Sequence, residues 1–189
     1  SGGSTLLDKA TFTFTGGGIA FSGTSIVGIV STSGDVTIST FNNQNGAGYI
    51  DLGSEAWTVS GANAWENDTT SASWDAGTGT VTFTGNAAGG NEWGNFTVAE
   101  PEFANVTFNA AAAADATFLT SARSLRFAGT LTITDSGGLT TLSMVAFNIV
   151  GDTSATIDMT DADGRLTFTT GDIVDVSDLN ITGGQMTMD

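Results

Sequence analysis

Apolar and polar residues alternate strictly over short stretches along the whole chain. Thr11-Phe12-Thr13-Phe14-Thr15, Asp35-Val36-Thr37-Ile38-Ser39, Thr80-Val81-Thr82-Phe83-Thr84, Asn105-Val106-Thr107-Phe108-Asn109, Thr130-Leu131-Thr132-Ile133-Thr134 and Arg165-Leu166-Thr167-Phe168-Thr169 all read this way. A period of two puts the large apolar groups on one face of a strand and the threonines on the other. Glycines separate the stretches, as at Gly16-Gly17-Gly18, Gly85, Gly89-Gly90, Gly137-Gly138, Gly171 and Gly183-Gly184, where chain reversal calls for a residue without a side chain. The pattern predicts an all-β protein.

The spacing of the strands says more than their existence. The apolar pairs Val36/Ile38, Trp57/Val59, Val81/Phe83, Val106/Phe108, Leu131/Ile133, Ile157/Met159 and Leu179/Ile181 follow one another at 21, 24, 25, 25, 26 and 22 residues. A recurrence of this length fits the rung of a β-solenoid, in which each coil stacks its strands on the coil before. It also fits two-strand modules of a β-sandwich or jelly roll. The expectation is a single all-β domain over 1–189, built as a solenoid-like stack of 21–26-residue rungs, with the sandwich as the alternative.

Two segments depart from the pattern. Five alanines follow Asn109, and the run 109–116 is expected to be at most one short helix with Asn109 as its cap, or else a compact loop. Residues 5–15, ahead of three glycines, are a candidate detachable strand. Such an arm, with Phe12 and Phe14 as contact residues, could complete a neighbour's sheet edge; the plainer reading is an ordinary first strand.

Composition narrows the chemistry. The chain has 189 residues with 4 Lys+Arg, 20 Asp+Glu, no His and no Cys, and a formal net charge of −16. Without imidazole or thiol there is no Ser-His-Asp triad, no cysteine nucleophile and no zinc finger. Positions 10–122 hold no basic residue, so nothing there neutralises phosphate, and no nucleic-acid partner is expected. No apolar run approaches the roughly 20 residues that span a bilayer, so no membrane insertion is expected. The 32 threonines suit a pleated surface. The opening Ser1-Gly2-Gly3-Ser4 is read as the start of a mature secreted product, placing the protein outside the cell.

Four groups of residues are candidates for chemistry. Asp158, Asp161 and Asp163, in an acidic segment closed by Gly164, offer the hard oxygens that Ca²⁺ prefers, with Asp172, Asp175 and Asp178 nearby; no other cofactor is expected. Trp57, Trp65, Trp74 and Trp93 fall in one short window and could stack on sugar rings, though tryptophan also anchors cores. Asn67, Asn95, Asn105 and Asn180 head Asn-x-Thr sequons for glycosylation. Carboxylates alone could act as acid and base, and Glu100/Glu102 and Asp51/Glu55 are the available pairs. Neither spacing implies convergence, and the expectation is that the protein is not an enzyme.

From Trp74 to Ala110, the phrases Gly-Thr-Val-Thr-Phe-Thr-Gly, Asn-Phe-Thr-Val and Phe-Ala-Asn-Val-Thr-Phe resemble the Thr/Gly/Asn-rich β-repeats of secreted prokaryotic surface proteins, adhesins and pilus or fibre subunits. That resemblance implies a non-enzymatic, extracellular and often polymeric protein, some of its kind assembling by donated strands. The expected function is therefore structural: a subunit of a surface filament that pairs with copies of itself. The alternatives are a carbohydrate-binding or adhesive module using the Trp57–Trp93 cluster, and a viral fibre or capsid decoration protein.

Overall fold

The computed structural model describes residues 35–39, 52–61, 75–84, 102–110, 115–118, 124–144 and 148–188 in full. It also gives the strand backbone at 5–7, 12–13, 19–22, 27–29, 41–44, 49–51, 65–67, 74, 91–95 and 119–120. Among these residues every strand pairing is parallel and there is no helix.

Each coil has three sides. In the fully described part the coils run Glu102–Phe103, Asn105–Ala110, Ala116–Thr120; then Leu125–Phe127, Thr130–Asp135, Thr140–Met144; then Ile149–Met159, which serves two sides, and Gly164–Phe168; then Ile173–Ile181 and Gln185–Met188. These make about four turns of a β-solenoid. Earlier strands extend the same sides, giving sheets of four, ten and eight strands. The all-parallel pairing excludes the sandwich and jelly roll, whose neighbouring strands run antiparallel.

The register follows the sequence repeat. On the second side the paired residues are Val36↔Trp57, Trp57↔Val81, Val81↔Val106, Val106↔Leu131, Leu131↔Ile157 and Ile157↔Leu179. These are the apolar pairs read from the sequence, coil upon coil. From Val36 to Met159 both members of every pair are buried, as are Phe103, Phe118, Leu125, Phe127, Leu142, Met144, Ile149, Leu166 and Phe168. Parallel stacking places like on like: Phe83 and Phe108 are register partners and their rings stack at 5.4 Å and 17°. Phe118 from the third side meets Phe108 at 5.1 Å, and Phe103 meets Phe83 edge-on at 6.1 Å. Offset and edge contacts of this kind add to the area term.

The alanine run is not a helix where the structure describes it. Asn109 and Ala110 complete the strand Asn105–Ala110, and Ala116 opens Ala116–Thr120; residues 111–114 lie outside the described residues. Asn109 does not cap a helix. Its Oδ1 accepts from Ser136 Oγ on the next coil at 3.0 Å. Ala110 and Ala116 are buried, and the Ala110 amide donates to Thr140 Oγ1 at 2.7 Å. Pairing with neighbouring coils overrides the helix propensity of alanine, which is a weak preference.

The corners explain the Asp and Asn content. Where the chain turns between sides, amides lose their ladder partners and need others. Side-chain oxygens supply them from one coil to the next: Asp35 accepts from the Ala56 amide at 3.3 Å, Asn105 from Thr130 at 3.0 Å, Asp115 from Leu139 at 3.0 Å and Asn148 from Asp172 at 3.0 Å. Asn105 also donates through Nδ2 to the carbonyls of Thr78 and Gly79 on the preceding coil. One amide thus joins three coils.

Candidate functional site

Three surfaces result from this architecture: the outward side of the ten-stranded sheet, a shallow cavity on the first side, and the face of the last coil. The outward positions of the second side form a grid. Ala56/Thr58/Ser60, Thr80/Thr82/Thr84, Asn105/Thr107/Asn109 and Thr130/Thr132/Thr134 occupy four successive coils. Twelve positions carry no charge in a protein of net charge −16. Ala56 and Ser60 are exposed and the other ten are half-buried. The grid ends where Asp158 and Asn180 take over the central column at Thr132↔Asp158↔Asn180.

The cavity, about 290 Å³, lies between Glu102, Arg126, Phe127, Val150, Gly151 and Asp152. It arises beside a register shift between Val150 and Ala155 that leaves 152–154 exposed. Opposite, Asp175 takes a φ of 55°, the one left-handed non-glycine among the described residues. Glu102 and Arg126 are register neighbours, and Asp152 Oδ1 accepts from the amide and hydroxyl of Thr153. Charges of both signs border the cavity, so its lining selects neither an anion nor a cation.

Two aspartates of the acidic segment bond to neighbouring coils. Asp161 Oδ2 accepts from Thr134 Oγ1 at 2.6 Å and from the Asp135 amide at 3.5 Å, both on the preceding coil. The Thr134 hydroxyl, then the Asp135 amide, hold its carboxyl below the ordinary value of 3.8 against a smaller opposing effect of burial. Asp158 accepts from Asn180 Nδ2 at 3.3 Å, and Asp163 is exposed beside buried Gly164. Among the described residues no three acidic side chains come together as a metal-binding group. A carboxyl with a lowered folded pKa stabilises the fold at pH above its unfolded value, and that contribution fades as pH falls through the lowered one. Asp161→Asn is therefore expected to lower the urea midpoint at pH 7, and the gap to the parent should close progressively below pH 3.8.

The four tryptophans are on strands of three different sides. Trp57 is 1% exposed, and its Nε1 donates to the Leu52 carbonyl at 2.9 Å inside the core. Burial takes Trp57 out of any sugar-stacking platform. Trp65 and Trp93 are on strands of the eight-stranded sheet and Trp74 is on the four-stranded one. Of the sequons, Asn105 is the three-coil bridge just described, Asn180 is exposed on the last coil, and Asn67 and Asn95 end third-side strands. Of the carboxylate pairs, Glu102 borders the cavity and Glu55 is half-buried; Asp51 ends the strand Tyr49–Asp51, and Glu100 lies outside the described residues.

The candidate arm is seated in register as the first coil. Thr5–Leu7 pairs with Val27–Ile29 and Phe12–Thr13 with Val36–Thr37; Phe14 lies outside the described residues. At the other end, Ile173–Ile181 and Gln185–Met188 pair on one edge only among the described residues. Leu179 is 46% and Met188 60% exposed, although both continue interior columns. Leu179 stacks on Ile157 and Met188 on Phe168. Alternation in the sequence could not distinguish these two from their buried counterparts, because exposure here depends on position along the stack.

Comparison with protein-family models, curated proteins and solved structures gave no match. Among the described residues no helix is long and apolar enough to cross a membrane.

Proposed function

We propose that the protein is a non-catalytic structural subunit, working outside the cell, that joins copies of itself end to end through strand pairing. The observation that carries this reading is the one-sided edge of the last coil, where Leu179 and Met188 are exposed at the ends of interior columns. The interior column that ends at Leu179 starts at Phe12, and the column that ends at Met188 starts at Ile19. A second copy placed head to tail would set Phe12 over Leu179 and Ile19 over Met188, extending the same sheets by one further parallel pairing. Such a contact does not close on itself and generates a filament.

The two ends differ in charge. Asp172, Asp175 and Asp178 make the last coil acidic, whereas positions 1–34 hold only Asp8 and Lys9. Association should strengthen with salt, since two subunits of the same negative charge repel at low ionic strength.

Sedimentation and electron microscopy test the proposal. The chain is expected to form rods that lengthen with concentration, and Leu179→Asp is expected to leave monomers with an unchanged circular dichroism spectrum. A parent chain that stays monomeric at high concentration and high salt overturns it. So does a Leu179→Asp variant that polymerises as well as the parent.

A further inference from the structure

The uncharged grid on the second side is unexplained by the fold or by end-to-end joining. β-Propensity favours threonine on any strand, so it would enrich all three sides alike. The other sides differ. Glu102 and Arg126 occupy outward positions of the first, and Arg165 follows Thr141 on the third. Among the described residues, only the second side keeps four coils free of charge.

The central column Thr58, Thr82, Thr107 and Thr132 is in exact register. Among the described residues, the hydroxyls of these four make no hydrogen bond; Thr134, at the grid's edge, gives its own to Asp161. Strands in a sheet lie about 4.8 Å apart, and alternate residues recur at about 6.6 Å along each. Eight of the twelve grid positions are threonine, each able to donate and accept and carrying a methyl, and the strand pairing fixes them in a two-dimensional lattice.

We propose that this grid binds the surface of ice. Ice is a periodic array of water donors and acceptors, without charge, so a partner for it must repeat in two directions and lack ions that hold their own hydration. Each threonine contributes little, and the sum counts because the fold has already fixed the spacing, so no ordering entropy is lost on contact. Sugar surfaces are recognised differently, with aromatic platforms, and the grid contains no aromatic side chain.

The test uses the full chain in a supercooled droplet holding one ice crystal, with partition into slowly grown ice as a second measurement. The parent is expected to facet the crystal, hold its growth below the melting point and enter the ice. Thr82→Lys and Thr107→Lys, each with an unchanged circular dichroism spectrum, are expected to lose both effects. Two positions are used so that one variant failing to fold leaves the other. Thr141→Lys, on the third side, should retain them. A parent that leaves ice growing as round discs and is excluded from it overturns the proposal. Retention of ice binding by both grid variants does so too, as does binding to crystalline chitin or cellulose without binding to ice.

Discussion

Phe108→Ala is expected to lower stability by about 3–5 kcal/mol, the cost of emptying a fully packed aromatic site. Phe108 is fully buried, stacks on Phe83 of the coil before and meets Phe118 across the interior. Its removal deletes contacts in two directions, along the stack and between sides. Parallel coils held in register by backbone ladders cannot collapse into the gap without disturbing the pairing with Val81–Phe83 and Leu131–Ile133. For a domain of this size the loss corresponds to a fall in Tm of about 10 °C. Urea denaturation followed by circular dichroism would measure it. Phe108→Leu keeps most of the volume and should cost less than about 1.5 kcal/mol. Equal losses for the two variants would show that the site is not tightly packed.

Gly77→Ala should be comparably damaging for a different reason. Gly77 has a φ of 61°, and a Cβ there would lie 1.8 Å from the carbonyl oxygen of Gly53, itself at a φ of 67°. That carbonyl accepts from the Thr78 and Gly79 amides at 2.8 and 3.2 Å, so it cannot move away without breaking the link between two coils. Left-handed strain alone accounts for about 1 kcal/mol; the collision with backbone raises the expected loss to about 3 kcal/mol or more, the range of severe single substitutions. Thr78→Ala next to it is exposed and should stay within about 0.5 kcal/mol of the parent. The same urea titration compares them, and a Gly77→Ala variant as stable as Thr78→Ala would contradict the account.

Both predictions depend on a register that was legible in the sequence. Parallel in-register stacking makes coil length equal to the distance between equivalent residues, and it demands the same inward and outward chemistry at each coil. The intervals that separate Val36, Trp57, Val81, Val106, Leu131, Ile157 and Leu179 are therefore a direct statement of three-dimensional contacts. The first side was not legible in the same way. Glu102–Phe103 and Leu125–Phe127 are too short to show a period.

Proximity in sequence is not proximity in space where coils intervene. Trp57 to Trp93 is a window longer than one coil, so it wraps past one full turn and distributes its aromatics over three sides. Asp158 and Asp161 are likewise separated by a corner: the first faces outward from a strand and the second turns back to Thr134. In the structure Asp158 accepts from Asn180, and Asp161 from Thr134 and the Asp135 amide, each on a neighbouring coil. Ala110 shows the opposite bias, since a local propensity has no information about Thr140 waiting on the next coil.

The uniform step between stacked partners also bears on how quickly the chain can reach its native state. On the second side each residue's partners along the stack sit one coil away, about 24 positions in a chain of 189, a mean separation near 0.13 of the length. That lies among mixed α/β domains and below the range of antiparallel sandwiches. Once two adjacent turns have met, every later one closes a loop of the same modest size, at the same entropic cost. Growth can then proceed outward like a zipper, with no distant segment to wait for.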